Sequence, residues 1–201
     1  MTSAAEALKR LRKGNRRFVT GRNDIARSIG EARRAELLEG QTPFAVILAC
    51  SDSRVPVELI FDQGLGELFV IRVAGNIVAP SQVDSIEYAA SELGTPLVVV
   101  LGHSNCGAVE AALREITQKQ SSPSSHLRSI VNRIRPAVEP LLDQCREKVT
   151  LPQAVLANVR QSVRQLRCGS PDLEELIDKG DLTIVGAKYS IETGEVRFLD
   201  G

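Results

Sequence analysis

Four apolar, β-branched runs separated by helical patterns constrain what this 201-residue chain can fold into. They are "PFAVILAC" (43–50), "ELFVIRVA" (67–74), "PLVVVLGH" (96–103) and "LTIVGAKY" (182–189). Each is nearly continuous instead of alternating, the pattern of a strand covered on both faces. Helical patterns occupy 81–93, with Ser81 as candidate N-cap, and 107–116, 126–142 and 151–167. The closing stretch "YSIETGEVRFLD" predicts a hairpin turning at Thr193 and Gly194. This alternation predicts an α/β fold with a mostly parallel central sheet flanked by helices: about four parallel strands plus an antiparallel edge strand. The length suits one domain over 1–201, divided into a helical arm at 1–40 and an α/β core at 41–201.

The arm carries Lys9, Arg10, Arg12, Lys13, Arg16 and Arg17 beside Leu8, Leu11, Phe18 and Val19, so it reads as an amphipathic helix packing on its own or, as favoured here, a neighbouring subunit. Lys plus Arg and Asp plus Glu each total 25, and this zero net charge argues against nucleic acid or anionic lipid as a partner. No apolar run approaches the ~20 residues of a membrane span. The start, "MTSAAEALKRLRKGNRRF", lacks the apolar core of a secretion signal, so a cytoplasmic location is expected. Four cysteines without dense pairing suggest thiols or metal ligands.

In parallel sheets ligands gather at the carboxyl ends of the strands. Two apolar runs end there on chemistry-bearing residues. The first runs into "CSDSR", with Cys50, Asp52 and Arg54 at alternate positions; the second into "HSNC", with His103 three residues before Cys106. Cys50, His103 and Cys106 form a Cys₂His donor set of the kind that holds zinc and leaves one position open. Thiolates and imidazole disfavour magnesium and calcium. Cys106 falls at a helix N-terminus, where free N–H groups favour a thiolate. Asp52 could be a fourth ligand in a closed state, or a proton acceptor beside the metal. Arg54 can grip its carboxylate bidentately and hold the site open.

"CSDSR" followed by "HSNC" resembles the β-class carbonic anhydrases, and the similarity runs through "RVAGN" (72–76), "SIEYA" (85–89) and "VVVLGHSNCGA". The resemblance implies zinc on Cys50, His103 and Cys106, an Asp52–Arg54 catalytic dyad, and reversible hydration of carbon dioxide to bicarbonate and a proton. It also implies homodimers, often assembled further into tetramers, with the active site at the subunit interface. Likeness to the plant-like branch implies that Gln41, Phe69 and Tyr88 of a second subunit, with Ala74, line the carbon dioxide pocket. Other branches hold inhibitory bicarbonate with a Trp and an Arg, and this chain has no Trp. Two thiolates cancel the zinc charge, so activity is expected to rise through mildly alkaline pH.

Rival readings are a carbon disulfide or carbonyl sulfide hydrolase with the same ligands, and an inactive zinc-stabilised scaffold. His126 reads as a surface residue, Cys145 and Cys168 as buried free thiols, "GLGEL" (64–68) as a turn, and Gly75–Asn76 as a bend near the site.

Overall fold

A computed structural model describes residues 2–118, 128–144 and 149–199. Five strands form one sheet in the order β2-β1-β3-β4-β5. They are β1 (Ala45–Ala49), β2 (Leu68–Arg72), β3 (Leu97–His103), β4 (Thr183–Tyr189) and β5 (Val196–Phe198). The first four pair in parallel and β5 returns antiparallel to β4. The helices are α1 (Ala4–Val19), α2 (Glu31–Glu36), α3 (Val57–Ile60), α4 (Pro80–Ser91), α5 (Gly107–Gln118), α6 (Arg128–Gln144), α7 (Leu151–Arg167) and α8 (Pro171–Asp178).

The continuous apolar runs follow from burial on both faces. In β1, Ala45, Ile47 and Ala49 enter one core, while Val46 and Leu48 enter the other. The same alternation sends Leu97, Val99 and Leu101 one way and Val98 and Val100 the other. A period-two strand with both faces covered has no polar position to offer. β2 differs. Its residues Leu68–Ile71 are only half-buried, because the strand ends the sheet and has one neighbour.

α1 packs on its own chain, where Ala7 and Leu11 are completely buried against Phe61 and the β3 face. A Ser3–Glu6 capping box starts that helix. α4 is capped by Ala79 and not Ser81, since Pro80 takes the first helical position, where its missing N–H costs nothing. Cys168 is exposed: α7 ends at Arg167, so the thiol sits on the cap and misses the apolar stripe of Val155, Val159 and Leu166. His126 and Cys145 lie outside the described residues.

Strand order fixes where a ligand can sit. The chain steps from β1 outward to β2, then crosses back to place β3 on the other side of β1. Connections therefore diverge between β1 and β3, and the crevice beyond their carboxyl ends is the expected binding place in such a sheet.

Candidate metal centre

Cys50 follows β1 and His103 ends β3, so both stand at that crevice. A two-residue turn after His103 brings Cys106 to the start of α5, and Asn105 takes the left-handed backbone (φ 56°) that this turn needs. Asn tolerates that region better than most residues. The donor atoms of Cys50, His103 and Cys106 lie within 4.8 Å of one another, and all three residues are buried.

The set fits a metal ion on three counts. The two Sγ atoms are 4.0 Å apart, far beyond a disulfide bond. Two sulfurs bound at about 2.3 Å to one tetrahedral ion would be about 3.8 Å apart. His103 Nδ1 lies 2.9 Å from the Ser104 carbonyl, which fixes the proton on that nitrogen and turns the Nε2 lone pair inward. Nε2 itself is buried and has no hydrogen-bond partner among the described residues. A buried imidazole nitrogen without a partner is costly unless something binds it.

The electrostatics agree. The Cys50 thiol is pushed down to about 4, chiefly by its contact with Cys106, then by His103 and the Gly75 N–H. Cys106 is pushed up by the same neighbour and by burial, which outweigh the N–H groups of Val109 and Ala108 at the helix start. The helix start thus favours the Cys106 thiolate, as its place in the sequence suggests, without being enough to ionise it beside Cys50. Two adjacent buried thiolates require a cation between them.

Asp52 and Arg54 form a bidentate pair. Asp52 Oδ1 accepts from the Arg54 backbone N–H and from Nε, both at 2.9 Å, and Oδ2 accepts from Nη2 at 2.8 Å. The guanidinium holds the Asp52 carboxyl well below the usual carboxylate range. Oδ2 lies 4.0 Å from His103 Nε2, so the carboxylate borders the donor cluster. Arg54 Nη2 also donates to the Asn105 carbonyl at 3.2 Å, tying "CSDSR" to "HSNC".

The remaining expected site residues lie elsewhere in the chain. Phe69 pairs with Val46 near the start of its strand, four residues before Cys50, and its ring stands 6.2 Å from that of Tyr88. Tyr88 is 51% exposed, and Gln41 is exposed just before β1. Ala74 adjoins Gly75, whose N–H donates to Cys50 Sγ at 3.3 Å. Arg72 was missed as a site residue. Its Nε donates to the Cys50 carbonyl at 3.1 Å and its Nη2 to the Asp52 carbonyl at 2.5 Å, holding the ligand turn from the neighbouring strand. The only sequence signal was an arginine ending an apolar strand.

The carbonic anhydrase family model matches residues 45–196, which span every site residue just described except Gln41. The chain belongs to the carbonic anhydrase family. It is 41% identical to carbonic anhydrase 2 of Mycobacterium tuberculosis over 199 residues, covering 99% of this chain and 94% of that one. It is 40% identical to the carbonic anhydrase of Mycolicibacterium smegmatis over 191 residues, covering 95% and 91%. Among solved structures, the beta-carbonic anhydrase CcaA aligns with TM-score 0.75 and 30% identity over 96% of this chain and 88% of that one. A tetrameric beta-carbonic anhydrase of Sordaria macrospora aligns with TM-score 0.72 and 27% identity over 84% and 86%. The fold and the matched relatives place this carbonic anhydrase in the beta class. No helix of the described residues is long and apolar enough to cross a membrane.

Proposed function

We propose that the chain hydrates carbon dioxide reversibly to bicarbonate and a proton, with zinc held by Cys50, His103 and Cys106. The observation that carries this reading is the buried His103 Nε2, without a partner among the described residues, within a 4.8 Å cluster with two thiols. Zinc at that set would act as a Lewis acid, making water nucleophilic near neutral pH.

The chain's own residues supply the rest. Arg54 fills both acceptor positions of Asp52 Oδ1 but only one of Oδ2, so Oδ2 keeps a lone pair facing His103. That oxygen is ionised and fixed, suited to accept a proton from water at the cluster and to orient its attack. The same bidentate grip opposes movement of Asp52 onto the metal position. Arg72 restrains the Cys50–Asp52 backbone, so ligand and acceptor keep their spacing.

The plant-like pocket reading assigns Gln41, Phe69 and Tyr88 to a neighbouring copy's site, with Ala74 from the chain that holds the metal. Their placement supports it: the Phe69–Tyr88 pair lies on the half-exposed β2 edge, away from its own Cys50. A homodimer through this face, or a larger assembly like the tetramers of Sordaria macrospora, would cover the exposed ring of Tyr88. The free thiols of Cys50, Cys106 and Cys168 suit the reducing conditions of cytoplasm.

Stopped-flow carbon dioxide hydration by zinc-loaded protein tests the proposal. Zinc-dependent turnover that rises between about pH 6 and 9 is expected. Absence of turnover, or faster release of sulfide from carbonyl sulfide than hydration of carbon dioxide, would replace it.

A further inference from the structure

Behind the metal centre lies a polar cluster that the proposed reaction does not use. Asn158 and Ser162, one turn apart on α7, are each 2% exposed, in a helix face otherwise made of Ala154, Val155, Val159 and Leu166. Polar side chains at such positions lower stability unless they are satisfied. Asn158 Nδ2 donates to the Gly75 carbonyl at 2.8 Å, and Ser162 Oγ donates to the Asn76 carbonyl at 3.1 Å. Both bonds end on the same two-residue bend.

That bend is strained. Gly75 (φ 72°) and Asn76 (φ 43°) are consecutive left-handed residues, and Asn76 Nδ2 is buried without a partner among the described residues. A side chain at Gly75 would press on Ile134 Cδ1 at 2.9 Å and Ala108 Cβ at 3.3 Å. Such conformations persist only where surrounding contacts over-determine them. What the bend achieves is the aim of one amide, because the Gly75 N–H donates to Cys50 Sγ. An N–H donor stabilises charge on a thiolate and lowers the energy of its lone pair.

We infer that Asn158, assisted by Ser162, is a positioning residue for the metal centre: it clamps the Gly75–Asn76 bend so that the Gly75 amide stays fixed on the Cys50 sulfur. The relay runs from α7 through two backbone carbonyls to a ligand atom that neither side chain touches. It rests on the reading of Cys50 as a metal ligand.

Cobalt(II) in place of zinc tests the clamp, because its sulfur-to-metal charge-transfer absorption reports the energy of the thiolate lone pair. Asn158→Leu keeps the volume and removes the donor. The expected result is one cobalt per chain in both proteins, a charge-transfer band at longer wavelength in Asn158→Leu, and metal loss to a chelator about tenfold faster. Ser162→Ala gives a smaller shift in the same direction, and it carries the test if Asn158→Leu does not fold. Leu166→Ala, a core truncation farther along the same helix, lowers the melting temperature and leaves the band in place. An unmoved band in Asn158→Leu, or in Ser162→Ala where that variant carries the test, overturns the clamp alone, as does an equal shift in Leu166→Ala. A wild-type chain that takes up no cobalt overturns the metal reading, and the clamp with it.

Discussion

The pairs Asp62–Arg17 and Asp52–Arg54 join the same two residue types, and their surroundings differ. Asp62 is held by Arg17 from α1, with Nε 2.5 Å from Oδ2, while Oδ1 accepts from the backbone N–H groups of Asp24 and Ile25. Its side chain is completely buried and its bonds all point into the N-terminal segment. Asp52 pairs with Arg54 two residues away, its side chain is 18% exposed, and one oxygen faces His103. One pair closes a structure and the other borders the Cys50–His103–Cys106 cluster. The ion pair itself does not separate them; the neighbouring His103 Nε2, without a partner among the described residues, and the two thiols do.

The difference predicts separable losses. Asp62→Ala leaves the Arg17 charge and two backbone donors without their acceptor, so urea unfolding should show a loss of about 3–5 kcal/mol. Turnover per bound zinc should be unchanged. Asp52→Asn inverts the pattern: carbon dioxide hydration should fall on the order of a hundredfold with zinc content intact. If both variants lost stability alike and kept turnover, the distinction between the pairs would fail.

A smaller effect is expected from Arg54→Ala, which frees the carboxylate to approach the metal. Hydration should drop about tenfold while zinc stoichiometry, read by atomic emission, stays at one. Loss of zinc in that variant would make Arg54 structural, like Arg17. The smallest effect is in acid. The Asp52 carboxyl is held below its ordinary value, so its pairing contributes stability above the unfolded value of about 3.9 and loses it as pH falls lower. The stability gap between wild type and Asp52→Asn should therefore narrow from pH 6 toward pH 3 in urea titrations.

Residue spacing explains which parts were legible in the sequence. Strands whose two faces are both buried must be apolar throughout, so β1 and β3 announced themselves, and their ends drew attention to Cys50 and His103. Asp52 and Arg54 were readable because partners two residues apart meet within one turn. Arg17 and Asp62 were not, since 45 residues separate them and only the docking of α1 brings them together. Asn158 was hidden for the same reason, 83 residues from the carbonyl it binds. The half-exposed β2 was misjudged because its apolar run matches those of the central strands, and run composition does not distinguish an edge strand from one inside the sheet. Cys168 lies at the helix end that the pattern marked, but its exposure was not legible, because a cap residue need not follow the buried stripe.

X-ray absorption at the zinc edge of the purified, zinc-loaded chain tests the central claim most directly. The account predicts one zinc per chain bound by two sulfurs at about 2.3 Å and two lighter nitrogen or oxygen atoms at about 2.0–2.2 Å. A chain that retains no zinc, or a zinc shell without two sulfurs, would contradict it.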